Sequence, residues 1–441
     1  MALAFELPTS ARPKIEFPWK LDMFDIITRC RICGNSNLVS ILHLGDQFLT
    51  GIFPRNREQK LTCGSLELVK CHAPEGGEAC GLVQLRQSYN LEEMYGLDYG
   101  YRSSLNQSMA RHLRAKVESL RRLVTLHRGD TVLDIGSNDG TTLSYYPAEA
   151  GFTLVGIDPT SEKFKDYYRP DIVRVADFFS ETAFHRACPG RQARIVTSIA
   201  MFYDLEAPLT FMREIAEILA PDGIWHFEQS YLPLMLSQNA YDTICHEHRE
   251  YYALRQIQWL VDRAGLKIID AETNDVNGGS FAVTVARKDS PLQENKAVVD
   301  SFLQKEDADG LHTLARYAVF AQQVFSHRVR LLSLLENIQA DGKSVLGYGA
   351  STKGNVILQF CGITAQALPA IAEVNQDKVG AFTPGTLIPI ISETEARQRK
   401  PDYLLVLPWH FKQNLLQREA AFLQAGGKMI FPLPRIEVVG K

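Results

Sequence analysis

The chain has 441 residues, of which 45% are hydrophobic and 22% are charged, and its formal net charge is -4. This composition is that of an ordinary globular protein, and the length predicts two or three domains. The slightly acidic balance disfavours a nucleic-acid-binding protein with a broad basic face. No apolar run reaches the roughly eighteen residues that a membrane helix needs, and the N-terminus lacks a secretory signal pattern. A cytoplasmic location is therefore expected.

Five of the eight cysteines fall between residues 30 and 80. In a reducing compartment such clustering indicates a metal site rather than a disulfide framework. A Cys-x-x-Cys-Gly knuckle aims two thiolates at one ion, and a second pair completes a tetrahedral set. Residues 25–100 are therefore predicted to be a domain with one structural zinc, held by Cys30, Cys33, Cys71 and Cys80. Because a turn-rich insertion divides the second pair, Cys63 and His72 are alternative ligands.

Residues 101–285 alternate strand-like and helix-like patterns. Strands are predicted at 131–136, 152–158, 194–198 and 223–228. Such alternation predicts a parallel sheet with helices on both faces. A ligand of this architecture binds at the carboxyl ends of the strands.

The turn after the first of these strands carries Asp134-x-Gly136-x-Asn138-x-Gly140. It differs from the dinucleotide fingerprint, in which glycines let a pyrophosphate approach a helix N-terminus. An acid here would repel a pyrophosphate but suits the cationic amino-acid end of S-adenosylmethionine, and Asp158 is placed to accept hydrogen bonds from both ribose hydroxyls. The alternative is that both acids are turn and cap residues. S-adenosylmethionine is the predicted cofactor, with further contacts from Asp139, Asp177, Phe178 and Ser198.

Residues 286–341 are predicted to be a helical connector, because apolar residues recur at Leu314, Ala318, Val324 and Leu331. Residues 342–441 predict a second, smaller Rossmann-like domain, with strands at 344–349, 370–374, 403–407 and 429–431. Lys353 follows the first of these strands, where it would neutralise a diphosphate together with amides at a helix start. A solvated lysine is the alternative. Two facing α/β domains make a cleft.

Six motifs occur in order along the chain: CRICG from Cys30, CGLVQL from Cys80, LDIGSNDG from Leu133, HEH from His246, NGGS from Asn277 and GYGASTK from Gly347. As an ordered set they resemble the three-domain sugar C-methyltransferases, which act on nucleotide-linked 4-keto-6-deoxysugars. The resemblance covers nearly everything from residue 27 to 437. It implies an N-terminal zinc-binding domain, a central S-adenosylmethionine domain, a C-terminal domain that closes over the nucleotide sugar, and methyl transfer to C3.

Methylation of a carbon next to a ketone proceeds through an enolate, so it needs a base, a donor to the developing oxyanion and positioning. His248 is the candidate base, and Glu247 would orient either the imidazole or the sugar. Tyr101, which resembles the family's active-site tyrosine, would donate to the oxyanion. Where the family pattern has a second tyrosine this chain has Cys245, so His246 or Tyr101 would supply that hydrogen bond. The candidate substrate contacts are Asn277, Tyr348, Ser351 and Lys353.

Three other functions remain as alternatives at this level. An O-methyltransferase would need a base near a hydroxyl but no neighbouring ketone. A nicotinamide-dependent oxidoreductase is disfavoured by Asp134, and a non-catalytic zinc scaffold is disfavoured by the complete central motif. The sequence specifies neither the sugar and its nucleotide nor the stereochemistry and the oligomeric state.

Overall fold

The computed structural model describes residues 24–73, 77–90, 94 and 101–440. Its N-terminal unit is an antiparallel arrangement in which the two longest strands pair along most of their length. The strands are β1 (Phe24–Ile26), β2 (Leu38–Phe48), β3 (Cys63–Cys71), β4 (Val83–Leu85) and β5 (Gln87–Tyr89). β3 places a cysteine at each of its two ends.

The central unit is a seven-stranded sheet with the order β12-β13-β10-β9-β6-β7-β8, parallel except for β13. Its seven strands are β6 (Thr131–Ile135), β7 (Thr153–Ile157), β8 (Ile172–Val175), β9 (Ala193–Ile199), β10 (Leu219–Ser230), β12 (Leu266–Asn274) and β13 (Ser280–Arg287). A further short strand, β11 (Glu250–Tyr251), lies in the same part of the chain but outside this sheet. Every residue of β6 is buried, as expected for an inner strand of a sheet covered on both faces. The predicted α/β class is confirmed here.

Helices and short 3-10 turns connect these strands. The helices are α1 (Gln107–Leu123), α2 (Thr141–Ser144), α3 (Glu181–Ala187), α4 (Pro208–Ile218), α5 (Leu232–Ser237) and α6 (Leu254–Arg263). The 3-10 turns are Ser103–Leu105, Ala148–Ala150, Pro159–Glu162, Lys165–Tyr167, Phe202–Asp204, Tyr241–Thr243 and Val276–Gly278. α1 begins where the Asn106 side chain accepts hydrogen bonds from the amides of Ser108 and Met109, a standard N-cap.

The short strand β11 does not join the central sheet. It pairs antiparallel with β4, so the sheet of the N-terminal unit has the order β11-β4-β3-β2. The chain segment that contains His246, Glu247 and His248 therefore ends in the sheet of the neighbouring unit.

The connector contains two helices, α7 (Lys296–Ala308) and α8 (Leu314–Ala340). They are separated at Gly310, which has a φ of +71°, and Thr313 caps the second helix with its side chain. Val324 and Leu331 are buried as predicted, but Ala318 is exposed. The buried face of α8 instead includes its neighbour Tyr317.

The C-terminal unit is a six-stranded sheet with the order β16-β15-β14-β17-β18-β19, in which only β19 is antiparallel. Its elements are β14 (Val345–Tyr348), α9 (Thr352–Cys361), β15 (Ile371–Glu373), β16 (Ile390–Ser392), α10 (Glu393–Gln398), β17 (Tyr403–Val406), a 3-10 turn (Trp409–Phe411), α11 (Lys412–Arg418), α12 (Ala420–Gln424), β18 (Lys428–Phe431) and β19 (Glu437–Val439). The second Rossmann-like unit is thus present as predicted.

One continuous hydrophobic cluster joins all three units, from Cys30 through Trp225 to Leu433. The three units therefore share one hydrophobic core and are not separate domains joined only by linkers. None of the described helices combines the length and apolar character that crossing a membrane requires.

Candidate active site and zinc site

Four cysteines converge beside the N-terminal sheet. The sulfurs of Cys30, Cys33, Cys71 and Cys80 all lie within 4.8 Å of one another. Sγ of Cys30 is 3.5 Å from that of Cys80, and Sγ of Cys33 is 3.4 Å from that of Cys71. A tetrahedral zinc with bonds of about 2.3 Å requires sulfur separations of roughly 3.8 Å, so these four side chains fit the ion.

The alternative ligands lie elsewhere. Cys63 begins β3 and Cys71 ends it, which separates the two residues by roughly 26 Å at 3.3 Å per residue. The cluster found among the described residues does not include His72. Cys71 and Cys80, which flank the turn-rich insertion, both reach the metal site.

Hydrogen bonds support thiolate character at this site. The side-chain amide of Asn35 donates to Sγ of Cys71 at 3.4 Å, and the amide of Leu82 donates to Sγ of Cys80 at 3.5 Å. The Cys30 thiol, as a donor, lowers the pKa of Cys71 to about 6. Sulfurs this close cannot all keep their protons independently, which favours exchange of protons for a metal ion.

A cleft of about 440 Å³ lies where the three units meet, beyond the carboxyl ends of β6 and β7. Most of the candidate site residues line it: Tyr101, Asp134, Gly136, Asn138, Asp158, Phe178, Glu247, His248, Asn277, Ser351 and Lys353. Residues separated by up to 250 positions in the sequence are thus brought to one cavity.

The first three residues of the 136–140 turn line the cleft. Gly136 has a φ of +72° and Asn138 a φ of +51°, both in the left-handed region. A Cβ on Gly136 would lie 3.2 Å from the Met201 side chain, so glycine suits both the conformation and the space. Asn138 also holds the 101–103 segment in place, because its side-chain amide donates to the Tyr101 carbonyl at 3.2 Å and its Oδ1 accepts from the amide of Ser103 at 3.0 Å.

The carboxylate of Asp158 is partly committed to the protein. Oδ1 accepts from both the amide and the hydroxyl of Thr160, each at 2.6 Å, and Oδ2 accepts from the amide of Asn138 at 2.8 Å. A carboxylate offers about four acceptor positions, so one remains, on Oδ2. Asp158 is thus both a cap residue and a cleft residue, and one acceptor position of its carboxylate is left for a ligand, whereas the expected contact with both ribose hydroxyls would need two.

Asp134 is buried at the end of β6 and lines the cleft. The hydroxyl of Thr197 donates to its Oδ1 at 2.5 Å. Burial raises the pKa of Asp134 to about 7. A cationic group in the cleft would lower that pKa again, so this carboxyl is suited to a positively charged ligand.

Four predicted cofactor residues lie outside the cleft lining. Asp139 accepts from the amide of Ser104 at 3.1 Å and supports the segment beside Tyr101. Gly140 caps α2, where a Cβ would lie 2.9 Å from the Tyr168 ring. Asp177 is on the surface near Arg186, and the hydroxyl of Ser198 is buried as the acceptor for the Trp225 indole at 2.9 Å. These four residues support the fold around the cleft, whereas Phe178 and Phe179 do line it.

Three of the four predicted catalytic residues, His246, Glu247 and His248, lie in a tight turn, 245–248, closed by a hydrogen bond from the His248 amide to the Cys245 carbonyl at 3.2 Å. Cys245, Glu247 and His248 face the cleft. His246 is fully buried on the opposite side, with its Nε2 3.1 Å from the Gln47 carbonyl. The turn thereby separates the two histidines, and His246 cannot replace the missing phenol.

The imidazole of His248 is held in one orientation. Its Nδ1 is 2.8 Å from the Thr243 carbonyl, which can only accept, so Nδ1 carries the proton and Nε2 is left with a lone pair. The ring packs against Tyr203, with 4.3 Å between centroids. Burial, aided by the charge of Lys353, lowers the pKa of His248 to about 3, and the imidazole is therefore neutral at cellular pH.

Glu247 does not orient that imidazole. The Cys245 thiol donates to its carboxylate, and the hydroxyl of Thr50 lies 3.5 Å from its Oε2. Burial raises the pKa of Glu247. No ion pair is formed by this carboxylate within the described parts of the chain. Two roles were expected for Glu247, orientation of the imidazole and contact with the sugar. The geometry excludes the first and is compatible with contact to a ligand.

Two lysines form the C-terminal wall. Nζ of Lys353 donates to the Asn277 carbonyl at 2.6 Å, and Nζ of Lys378 donates to the Ala350 carbonyl at 2.9 Å. Burial lowers the pKa of both lysines. The hydroxyl of Tyr348, in contrast, donates to Glu419 at 2.7 Å beneath the sheet, so this predicted contact lies outside the cleft.

Several lining residues had no sequence motif. Met201 and Tyr203 follow β9, and Ser230 ends β10, so their place after parallel strands could have indicated them. Gly51 and Lys378 come from the other two units and carry no such signal.

Comparison with known proteins gives a consistent assignment. Three family models match in series: a zinc binding domain at residues 30–95, a methyltransferase domain at 105–271 and a C-methyltransferase C-terminal domain at 275–434. The C-methyltransferase NovU of Streptomyces niveus is 30% identical over 421 residues, which are 95% of this chain and 98% of NovU.

Solved methyltransferases resemble part of the chain. The plantazolicin methyltransferase BpumL in complex with SAH is 12% identical, covers 42% of this chain and 87% of its own, and has a TM-score of 0.33. The Burkholderia thailandensis 1,6-didemethyltoxoflavin-N1-methyltransferase is 14% identical, covers 49% of this chain and 99% of its own, and has a TM-score of 0.34. The matches in sequence, which span nearly the full length, show that the chain belongs to the S-adenosylmethionine-dependent C-methyltransferases with an N-terminal zinc-binding domain.

Proposed function

We propose that this enzyme methylates a carbon next to the ketone, C3, of a nucleotide-linked 4-keto-6-deoxysugar. The observation that carries the proposal is the make-up of the cleft where the three units meet. Its lining combines the first residues of the 136–140 turn, an imidazole with a free lone pair, and the two lysines Lys353 and Lys378. A base and two cations in one cleft suit a substrate that carries both an acidic C–H bond and a diphosphate.

The proposed chemistry assigns one proton transfer and one bond. Bound S-adenosylmethionine supplies an electrophilic methyl group. Nε2 of His248 takes the C3 proton, and the electron pair of that C–H bond becomes the enolate. The new bond from C3 to the methyl would form as the methyl–sulfur bond breaks, with its electron pair leaving on the sulfur of S-adenosylhomocysteine. Tyr101, in the cleft wall, donates to the enolate oxygen, which is where negative charge develops.

Burial of His248 keeps the imidazole unprotonated but lowers its basicity. A pKa of about 3 keeps the imidazole unprotonated at neutral pH but makes it a weak base. Substrate binding supplies the compensation, because a negatively charged enolate next to the ring would stabilise the imidazolium and raise its pKa. Glu247 has no role in holding the ring, and we assign it to a sugar hydroxyl.

The substrate's phosphates are assigned to the C-terminal wall. Each lysine spends one of its three N–H donors on a backbone carbonyl, so two donors of each remain for phosphate oxygens. Ser351 caps α9, and the amides of its first turn add partial positive charge. Asn277 lines the same wall. The product would be a branched sugar for a surface polysaccharide or a natural product made in the cytoplasm.

Exchange of the C3 proton with deuterated solvent tests this proposal. The enzyme is given a nucleotide 4-keto-6-deoxyhexose and S-adenosylhomocysteine, which cannot donate a methyl, and deuterium at C3 is followed by mass spectrometry. The His248→Asn variant is expected to exchange roughly a hundredfold to ten-thousandfold more slowly, the usual contribution of a general base. His246→Asn, on the far side of the turn, serves as the matched control. Wild-type exchange in His248→Asn would show that another group removes the proton.

A further inference from the structure

The zinc-binding unit forms part of the cleft. Gly51 and Phe53, which follow β2, line it together with residues of the other two units. This stretch of chain, the 48–53 segment, runs between the 245–248 turn and helix α9. Its role is not explained by a structural zinc that merely stabilises a separate domain.

The 48–53 segment is fixed firmly to the C-terminal unit. The amide of Phe48 donates to the Gln359 side chain at 2.8 Å, and that side chain donates back to the Phe48 carbonyl at 3.1 Å. The side chain of Asn355 donates to the Thr50 carbonyl at 2.8 Å. Buried side-chain to backbone hydrogen bonds of this kind hold an irregular segment in one conformation.

The same segment touches Glu247. The Thr50 hydroxyl lies 3.5 Å from Oε2, and a Cβ added to Gly51 would lie only 2.8 Å from Oε1. The carboxylate is therefore seated directly on the Gly51 backbone, with Thr50 and the thiol of Cys245 as its donors. Any larger residue at position 51 would displace one carboxylate oxygen.

The zinc-binding unit also holds the far end of the catalytic turn. β11 begins two residues after His248 and pairs with β4. Arg31, within the zinc knuckle, donates to the Leu85 carbonyl at 2.6 Å, and its Nε lies 3.8 Å from Glu250. The 245–248 turn is thus bracketed by two parts of the zinc-binding unit.

We propose that the zinc-binding unit is a working part of the active site, in which Thr50 and Gly51 are positioning residues for the Glu247 carboxylate. This inference rests on the proposed function in one respect, the contact of Glu247 with the substrate. A displaced carboxylate would misalign the sugar for deprotonation and methyl transfer, whereas cofactor binding at the 136–140 turn would not change.

Kinetics of four variants test the inference with a nucleotide 4-keto-6-deoxyhexose as substrate. Thr50→Val removes the donor at constant shape, Thr50→Ser restores it, and Gly51→Ala displaces the carboxylate. Arg57→Ala, on the exposed continuation of the segment, is the control. We expect Thr50→Val and Gly51→Ala to lower kcat at least tenfold, with unchanged zinc content and unchanged affinity for S-adenosylhomocysteine. Thr50→Ser should recover to within threefold of the wild type, and Arg57→Ala should match it.

Wild-type kcat in both Thr50→Val and Gly51→Ala would overturn the inference. Loss of zinc or of S-adenosylhomocysteine binding in step with kcat would also overturn it, because that pattern indicates general damage. If the wild-type enzyme methylates none of the sugars, the proposed function fails, and a double-mutant cycle still decides the contact. Urea unfolding of Thr50→Val, Glu247→Gln and the double variant should then be non-additive, and additive effects would refute the positioning role.

Discussion

Replacing Asp158 by alanine tests how the cofactor is held. Three of the four acceptor positions of this carboxylate are used by Thr160 and Asn138, which leaves one for a ribose hydroxyl. One charge-assisted hydrogen bond contributes about 1.5 to 3 kcal/mol. Asp158→Ala should therefore weaken binding of S-adenosylmethionine by roughly tenfold to 150-fold, since about 1.4 kcal/mol corresponds to a factor of ten.

Isothermal titration with S-adenosylhomocysteine measures this loss, and thermal unfolding of each variant shows that the fold is kept. The control is Asp177→Ala, because Asp177 lies on the surface beside Arg186 and outside the cleft lining. Its affinity should stay within twofold of the wild type. An unchanged dissociation constant for Asp158→Ala, or a loss of affinity as large for Asp177→Ala, would refute this placement of the ribose.

Three other predictions concern the metal, the pH dependence of stability and the substrate. Cys80→Ser should lose zinc while Cys63→Ser retains one zinc per chain by elemental analysis, and the opposite pattern would reassign the ligands. Burial lowers the pKa of His327 from 6.5 to about 4, so the unfolded state binds more protons than the folded state between these pH values. The free energy of unfolding therefore decreases as the pH is lowered through this range. In urea unfolding from pH 7 to pH 5, His327→Gln should lose about 2 kcal/mol less than the wild type, and an equal loss would contradict the shift. Lys353→Met should raise the KM of the nucleotide sugar roughly tenfold or more at unchanged S-adenosylhomocysteine affinity, and an unchanged KM would remove Lys353 from the phosphate site.

The sequence predicted local patterns well. The buried run at β6 and the glycines after it encode a parallel strand and a tight turn within ten residues, and the strand ends place Asp134 and Asp158 at one edge of the sheet. The Cys-x-x-Cys knuckle likewise indicates a metal from local geometry alone.

Contacts between distant segments could not be predicted in the same way. β11 is two residues long and pairs with β4, about 165 positions earlier, without any periodic signal of its own. Gly51 carries no motif, and its role emerges only when the chain folds it against Glu247. Similarly, α8 buries Tyr317 rather than Ala318, because a one-residue change of phase rotates a helix face by about 100°.

His246 and His248 show why the role of a residue could not be predicted from its residue type alone. His246 and His248 are equivalent in sequence context, yet the turn that contains them directs one to Gln47 and the other to the cleft. The hydroxyls of Tyr348 and Ser198 likewise form internal hydrogen bonds, with Glu419 and Trp225 respectively, instead of facing the cleft. Polar side chains near strand ends are shared between ligand binding and internal hydrogen bonding, and only the fold decides which.

The position of the transferred methyl distinguishes methylation of carbon from methylation of oxygen. The enzyme is incubated with S-adenosylmethionine labelled with carbon-13 in its methyl group and with a nucleotide 4-keto-6-deoxyhexose, and the product is analysed by carbon NMR. We expect one labelled methyl bonded to the C3 carbon beside the ketone. A labelled methyl on oxygen would instead identify an O-methyltransferase and contradict the proposed function.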